Sequence, residues 1–149
     1  MKLVRIAAIV ASGMALGCSA DDSPREMFRT TVMPVLERRC ASTTCHGVAP
    51  DANGEQIDWN QFFLRLDANG RIADVEQAYL VTKRAINSTE DPEFSTLLRK
   101  PLSVASGGVP HLGGHDFAST AHPDYRAMRD WIAREHGGGE DPPALSPLE

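Results

Sequence analysis

The chain has 149 residues, of which 42% are hydrophobic and 23% charged, ordinary values that predict one small globular domain with a modest core. A formal charge of −5 leaves no basic surplus to meet phosphates, which argues against a nucleic-acid binder. Three cysteines cannot all pair within one molecule, so a disulfide-rich scaffold is excluded.

The N-terminus reads as an address and an anchor. Lys2 and Arg5 supply a positive start. Residues 6–10 and 14–16 form an apolar stretch of signal-peptide length, broken by Ser12 and Gly13 and too short to span a bilayer as a mature helix. Ala15-Leu16-Gly17-Cys18 resembles a bacterial lipobox, with Ala15 where the usual Leu stands. This predicts a lipoprotein signal peptide over residues 1–17 and lipidation of Cys18. An ordinary secretory signal cut near Gly17 is the alternative. Either cut removes Lys2 and Arg5 and no acid, so the net charge moves from −5 to −7. Both readings export the chain to the bacterial cell envelope, and the lipid would hold it to a membrane in the periplasm or at the outer membrane.

Residues 18–23 form a polar tether. The body, residues 24–136, reads as mainly α, a small helical domain with long loops. Ser23-Pro24-Arg25-Glu26 has a capping residue, a proline for the first helical position and a glutamate to complete a capping box. Phe28, Val32, Val35 and Leu36 then recur at helical spacing, Pro34 should kink the helix, and the helix should end after Arg39. Residues 47–60 read as a loop. Residues 61–67 alternate around Phe62, Leu64 and Leu66 and predict a short extended segment, followed by a turn at Asp67-Ala68-Asn69-Gly70. Asp74 with Gln77 caps a second helix whose inner face is Val75, Ala78, Tyr79, Thr82 and Ile86. Asp91-Pro92 opens a third helix carrying Phe94, Leu97 and Leu98 and stopped by Pro101. Residues 103–116 form a Gly-rich loop with His111 and His115. A final helix follows Pro123, with Tyr125, Met128, Trp131 and Ile132 inward and Gly137 at its end. Residues 137–149 are rich in Gly, Pro and acids and predict a disordered tail.

The chemistry concentrates at Cys40-Ala41-Ser42-Thr43-Thr44-Cys45-His46-Gly47. Covalent attachment of haem needs two thiols to add across two vinyl groups, and a histidine directly after the second thiol to meet the iron. The usual spacing is two residues between the cysteines, and here it is four; the Cys45-His46 dipeptide is intact. A body poor in aromatics would gain core area from a buried porphyrin. Two other fates remain open for the same residues. Cys40 and Cys45 can form a local disulfide, as exported thiols often do. They can also join His46 and a further histidine at zinc, although adjacent ligands suit one tetrahedral ion poorly.

From about Phe28 to Ile132 the sequence resembles the single-haem cytochrome c-like domains of planctomycete and myxobacterial exported proteins. The matching features occur in order. They are Met33-Pro34-Val35-Leu36, Cys45-His46-Gly47, Leu64-Arg65-Leu66-Asp67, the run Asp91 to Leu98, Lys100-Pro101-Leu102, His111 to Gly114, Tyr125 and Trp131-Ile132. The resemblance implies a mostly helical cytochrome c-like fold, covalent haem c held by Cys40, Cys45 and His46, and electron transfer. The chain lacks the Met-Pro-Pro segment common in the planctomycete group, so the sixth iron ligand does not carry over.

His111 is the first choice for that ligand, because Gly107, Gly108, Gly113 and Gly114 would let the backbone approach a flat cofactor. His115 shares the loop and comes second. Met128 and Met33 read as packing, His122 as a helix cap, and His136 as a cation favoured at a helix end. The leading expectation is a lipid-anchored single-haem electron carrier, before an enzyme, for a redox protein with a basic patch. A haem sensor or peroxidase with an open iron position, and a haem-free lipoprotein with a Cys40–Cys45 disulfide serving as a binding or structural module, are the alternatives. No nucleophile elbow, phosphate-cradling loop or paired-histidine helix motif is present.

Overall fold

The structure, a computed structural model, describes residues 23–50, 61–86 and 91–137. The signal segment, Cys18, the tether before Ser23 and the tail after Gly137 lie outside the described residues. What is described is mainly α. In chain order the elements are α1 (Pro24–Met27), a π-helical stretch (Phe28–Val32), α2 (Met33–Arg39), β1 (Gly47–Val48), β2 (Leu64–Arg65), α3 (Val75–Ala85), a 3-10 turn (Pro92–Phe94), α4 (Thr96–Arg99), a second 3-10 turn (Val104–Ser106) and α5 (Pro123–Gly137).

The helix starts follow local chemistry. Ser23 Oγ accepts from Glu26 N–H at 3.2 Å, and Asp74 Oδ1 accepts from Gln77 N–H at 2.9 Å, each satisfying one of the orphan donors of a first turn. Glu26 also pairs with Arg29. At Pro34 the helix continues, and the stretch just before it is wound as π-helix, with Met33 N–H bonded back to Phe28 O. Pro34 has no N–H to offer and its ring crowds the carbonyl one turn back; a π segment is a standard way for a helix to absorb such a fault.

Three expectations are corrected. Residues 47–48, read as loop, form β1 and pair in parallel with β2, Gly47 opposite Leu64 and Val48 opposite Arg65. Val75 is 37% exposed and off the buried face of α3, while Leu80 and Val81 join Ala78, Tyr79, Thr82 and Ile86 inside. The third helix is two pieces. Ser95 takes an extended ψ of 135° and caps α4 afresh, its Oγ accepting from Leu97 N–H. Phe94 is therefore out of register with buried Leu97 and Leu98, and is 60% exposed.

The core lies between the N-terminal helices, α3, α4 and α5. Phe28, Val32, Val35 and Leu36 meet Tyr125, Met128, Trp131 and Ile132, all buried. Phe28, Tyr79 and Trp131 form an aromatic triangle with centroids 5.4 to 6.3 Å apart. This core is built from protein side chains.

Candidate functional site

Cys40 is placed by the way α2 stops. The N–H groups of Cys40 and Ala41 both donate to Leu36 O, at 2.8 and 2.9 Å. The chain then turns back on itself. Cys45 and Gly47 N–H both reach Ser42 O at 2.9 Å, and His46 N–H reaches Cys40 O at 3.1 Å. The four residues between the cysteines thus form a closed loop, with Ala41 buried and residues 42–44 exposed. Gly47 is required by that closure: a Cβ there would lie 2.1 Å from Ala41 O and 2.7 Å from Leu66 Cδ1. Both cysteines are free thiols, Cys45 exposed and Cys40 half-buried. Burial pushes the Cys40 thiol up to about 12, with Asp116 and Cys45 adding to the shift and Arg39 opposing it. It is therefore a neutral thiol at ordinary pH.

His46 stands at the start of β1 and is held twice. Its carbonyl accepts Leu64 N–H at 2.8 Å, within the ladder. Its ring Nδ1–H donates to Phe62 O at 2.8 Å, and the Phe62 ring meets it edge-on at 4.8 Å. Nδ1 being the donor, Nε2 carries the lone pair in the neutral ring. Burial lowers the His46 pKa, the bond to Phe62 opposes this, and His111 and Lys100 push the same way as burial.

The loop from Ser103 to Asp116 is fastened where it begins and ends. Ser103 N–H donates to Phe117 O at 2.8 Å and Phe117 N–H to Pro101 O at 2.9 Å, while Val109 N–H ties the loop to Arg99 O at 3.0 Å. At its tip, Gly114 takes φ +84°, its N–H donates to His111 O at 3.0 Å, and His111 Nδ1–H donates to Gly114 O at 3.2 Å. The His111 ring is thereby held parallel to that of His46 within 8°, with centroids 6.0 Å apart.

Both rings line one open cavity of about 240 Å³, together with Cys40 and Cys45. Phe62, Leu97 and Pro101 give it apolar wall; Arg39, Lys100 and Asp116 give it charge. Two imidazoles that ligate one iron from opposite sides, at about 2 Å each, have ring centres roughly 6 Å apart. The His46 and His111 rings are stacked at a comparable centroid separation of 6.0 Å, and among the described residues each binds a carbonyl through Nδ1, at Phe62 and Gly114. By residue type the donor set suits a haem, since two thiols and two imidazoles line the same cavity. Among the described residues no three His, Cys, Asp or Glu side chains converge as a ready-made metal cage.

The other candidates are elsewhere. His115 is exposed and does not line the cavity. Met128 is buried in the core beside α5's other inner residues, and Met33 packs against that core. His122 caps α5, its Nδ1 accepting from Asp124 N–H at 3.1 Å. His136 lies in the last turn of α5. Of the four loop glycines, Gly113 lines the cavity against the His111 ring, whereas Gly108 packs on Leu102 O. Sequence reasoning did not find Phe62, Lys100 or Asp116. Phe62 contributes a main-chain carbonyl, which no residue type signals, and the other two come from separate segments.

No family model matches the chain, and neither does any curated protein or any solved structure.

Proposed function

We propose that the chain is a membrane-anchored monohaem c-type cytochrome that carries single electrons between redox partners, on a cytochrome c-like fold. One observation carries this reading: parallel His46 and His111 rings 6.0 Å apart, on a cavity that Cys40 and Cys45 also line. In this reading Cys40 and Cys45 bond haem c through thioethers, His46 is the proximal ligand and His111 the distal one. The haem, when bound, supplies the one-electron iron couple. The chain's own residues hold the geometry. The carbonyls of Phe62 and Gly114 fix the tautomer and orientation of the two ligands, so neither ring has to reorient as the charge at the centre changes. A second histidine sets a lower potential than a thioether would, because the softer sulfur favours reduced iron.

The cavity is small beside the usual ligand pocket of some 300 Å³ or more. An occupant of porphyrin size would keep an edge in solvent, where an electron can pass to a docked partner. No protein base or nucleophile is needed for that. With Cys18 lipidated and the signal removed, the charge of −7 favours a redox partner with a basic patch, met through a small, transient, salt-sensitive interface. The sequence resemblance to single-haem cytochrome c-like domains supports the same reading.

The test is expression with a cytochrome c maturation system. The expected product is red, stains for haem on a denaturing gel and has the mass of the chain plus one haem. A colourless product with Cys40 and Cys45 joined to each other would replace this function with that of a haem-free module.

A further inference from the structure

We propose that Lys100 anchors a haem propionate, an inference that rests on the cofactor reading above. Three charged side chains line the cavity, Arg39, Lys100 and Asp116, and they are not equivalent. Arg39 is already engaged: its Nε donates to Asp124 Oδ2 at 2.7 Å, and its guanidinium lies 5.6 Å over the Phe117 ring. Asp116 carries the wrong sign to hold an anion. Lys100 is exposed at the end of α4, and its ammonium has no acidic partner among the described residues.

Position separates the two cations as well as pairing. Arg39 is the residue before Cys40, whereas Lys100 caps α4 on another segment of the cavity wall. A porphyrin tethered by its vinyl groups at the cysteines carries its two propionates on the opposite edge. Arg39 therefore belongs to the thiol side, and Lys100 is the cation left for the acid edge. The neighbouring wall is Leu97 and Pro101, against which an unpaired carboxylate would be costly to bury. A lysine reaches such a group on a flexible stem that packs on apolar surface.

A paired cation does two things to a propionate and its iron. It holds the propionate ionised to lower pH, and its positive charge favours the reduced metal. The experiment compares matured holoprotein with Lys100→Gln and Lys100→Arg. The reduction potential is followed spectroelectrochemically from mildly acidic to alkaline pH, with haem content read by intact mass. The substitutions leave Arg39, Asp116, His46 and His111 in place, and the Lys100 backbone bond to Thr96 O does not depend on its side chain. The expected result is equal haem content in all three. Lys100→Gln should lower the potential at neutral pH and move the propionate bend in the potential–pH curve upward, and Lys100→Arg should restore both. Superimposable curves for Lys100→Gln and the parent, with haem attached, would overturn the anchor and leave the cytochrome reading standing. A lower potential with an unmoved bend is a through-space charge effect and would overturn it too. A parent protein without covalent haem removes both proposals together.

Discussion

The aromatic core and the cysteine–histidine cavity are built from overlapping segments, yet they treat their polar groups in opposite ways. In the core each named polar group is matched inside the protein. Trp131 Nε1–H donates to Pro24 O at 3.0 Å, Tyr79 O–H donates to Glu135 Oε1 at 2.7 Å, and Lys83 Nζ meets Glu135 Oε2 at 3.1 Å. In the cavity, among the described residues, each imidazole bonds a carbonyl through Nδ1, the two cysteines are free thiols, and Lys100 has no acid beside it. The cavity's polar groups lie where solvent can reach them, whereas the core's must be matched inside because they are buried.

That contrast is tested hardest at Trp131. It is fully buried, touches Phe28 and Tyr79, and ties α5 to the first residue of α1. Trp131→Ala should cost about 3–5 kcal/mol of unfolding free energy, the range for removing a buried large aromatic. Urea denaturation of the parent and the variant measures it. A loss below about 1 kcal/mol would mean that the core does not carry the fold.

A smaller effect is expected at Asp124, which joins the two regions. Arg39, next to Cys40, and Arg38 both reach this carboxylate at the start of α5, at 2.7 and 3.2 Å. Burial would raise the Asp124 pKa, but the hydrogen bond from Arg39 and the charges of both arginines outweigh it and hold the group below its usual value. A carboxylate depressed on folding adds stability above its unfolded pKa of about 4, and that stability is lost as pH falls through the lower folded value. Asp124→Asn should therefore cost about 1 kcal/mol at neutral pH and flatten the acid side of the stability curve. Denaturation as a function of pH checks both. An unchanged acid limb would show that the bridge contributes nothing.

The same contrast explains what could be seen in advance. Caps at Ser23, Asp74 and Asp91 are three- or four-residue events, and the inner face of α5 is a simple period, so both are written locally. The β1–β2 pairing depends on Gly47 meeting Leu64 across an intervening segment, and the outward turn of Phe94 depends on one ψ at Ser95. Neither leaves a local mark. At the cavity, Cys40, Cys45 and His46 fall within one short segment of sequence and are legible as a group. His111 lines the cavity and the exposed His115 does not, while Gly107 and Gly114, both at positive φ, serve to turn the loop. Lys100 and the carbonyl of Phe62 are brought in by tertiary folding alone.

The smallest change in stability, and the sharpest test of the cavity, is expected at His111. It sits on a loop in a half-exposed position, so His111→Ala should shift unfolding free energy by no more than about 0.5 kcal/mol. The matured haem protein should nevertheless pass from a low-spin to a high-spin ferric spectrum, because removing one axial nitrogen weakens the ligand field. Met128→Leu, inside the core, should do the reverse: some loss of stability and no spectral change. If His111→Ala instead kept a low-spin spectrum, the parallel rings would be a packing contact, and the sixth ligand would have to come from a residue that does not face His46. A parent protein already high-spin with His111 present would mean an iron open to small ligands, favouring the sensor or peroxidase over the electron carrier.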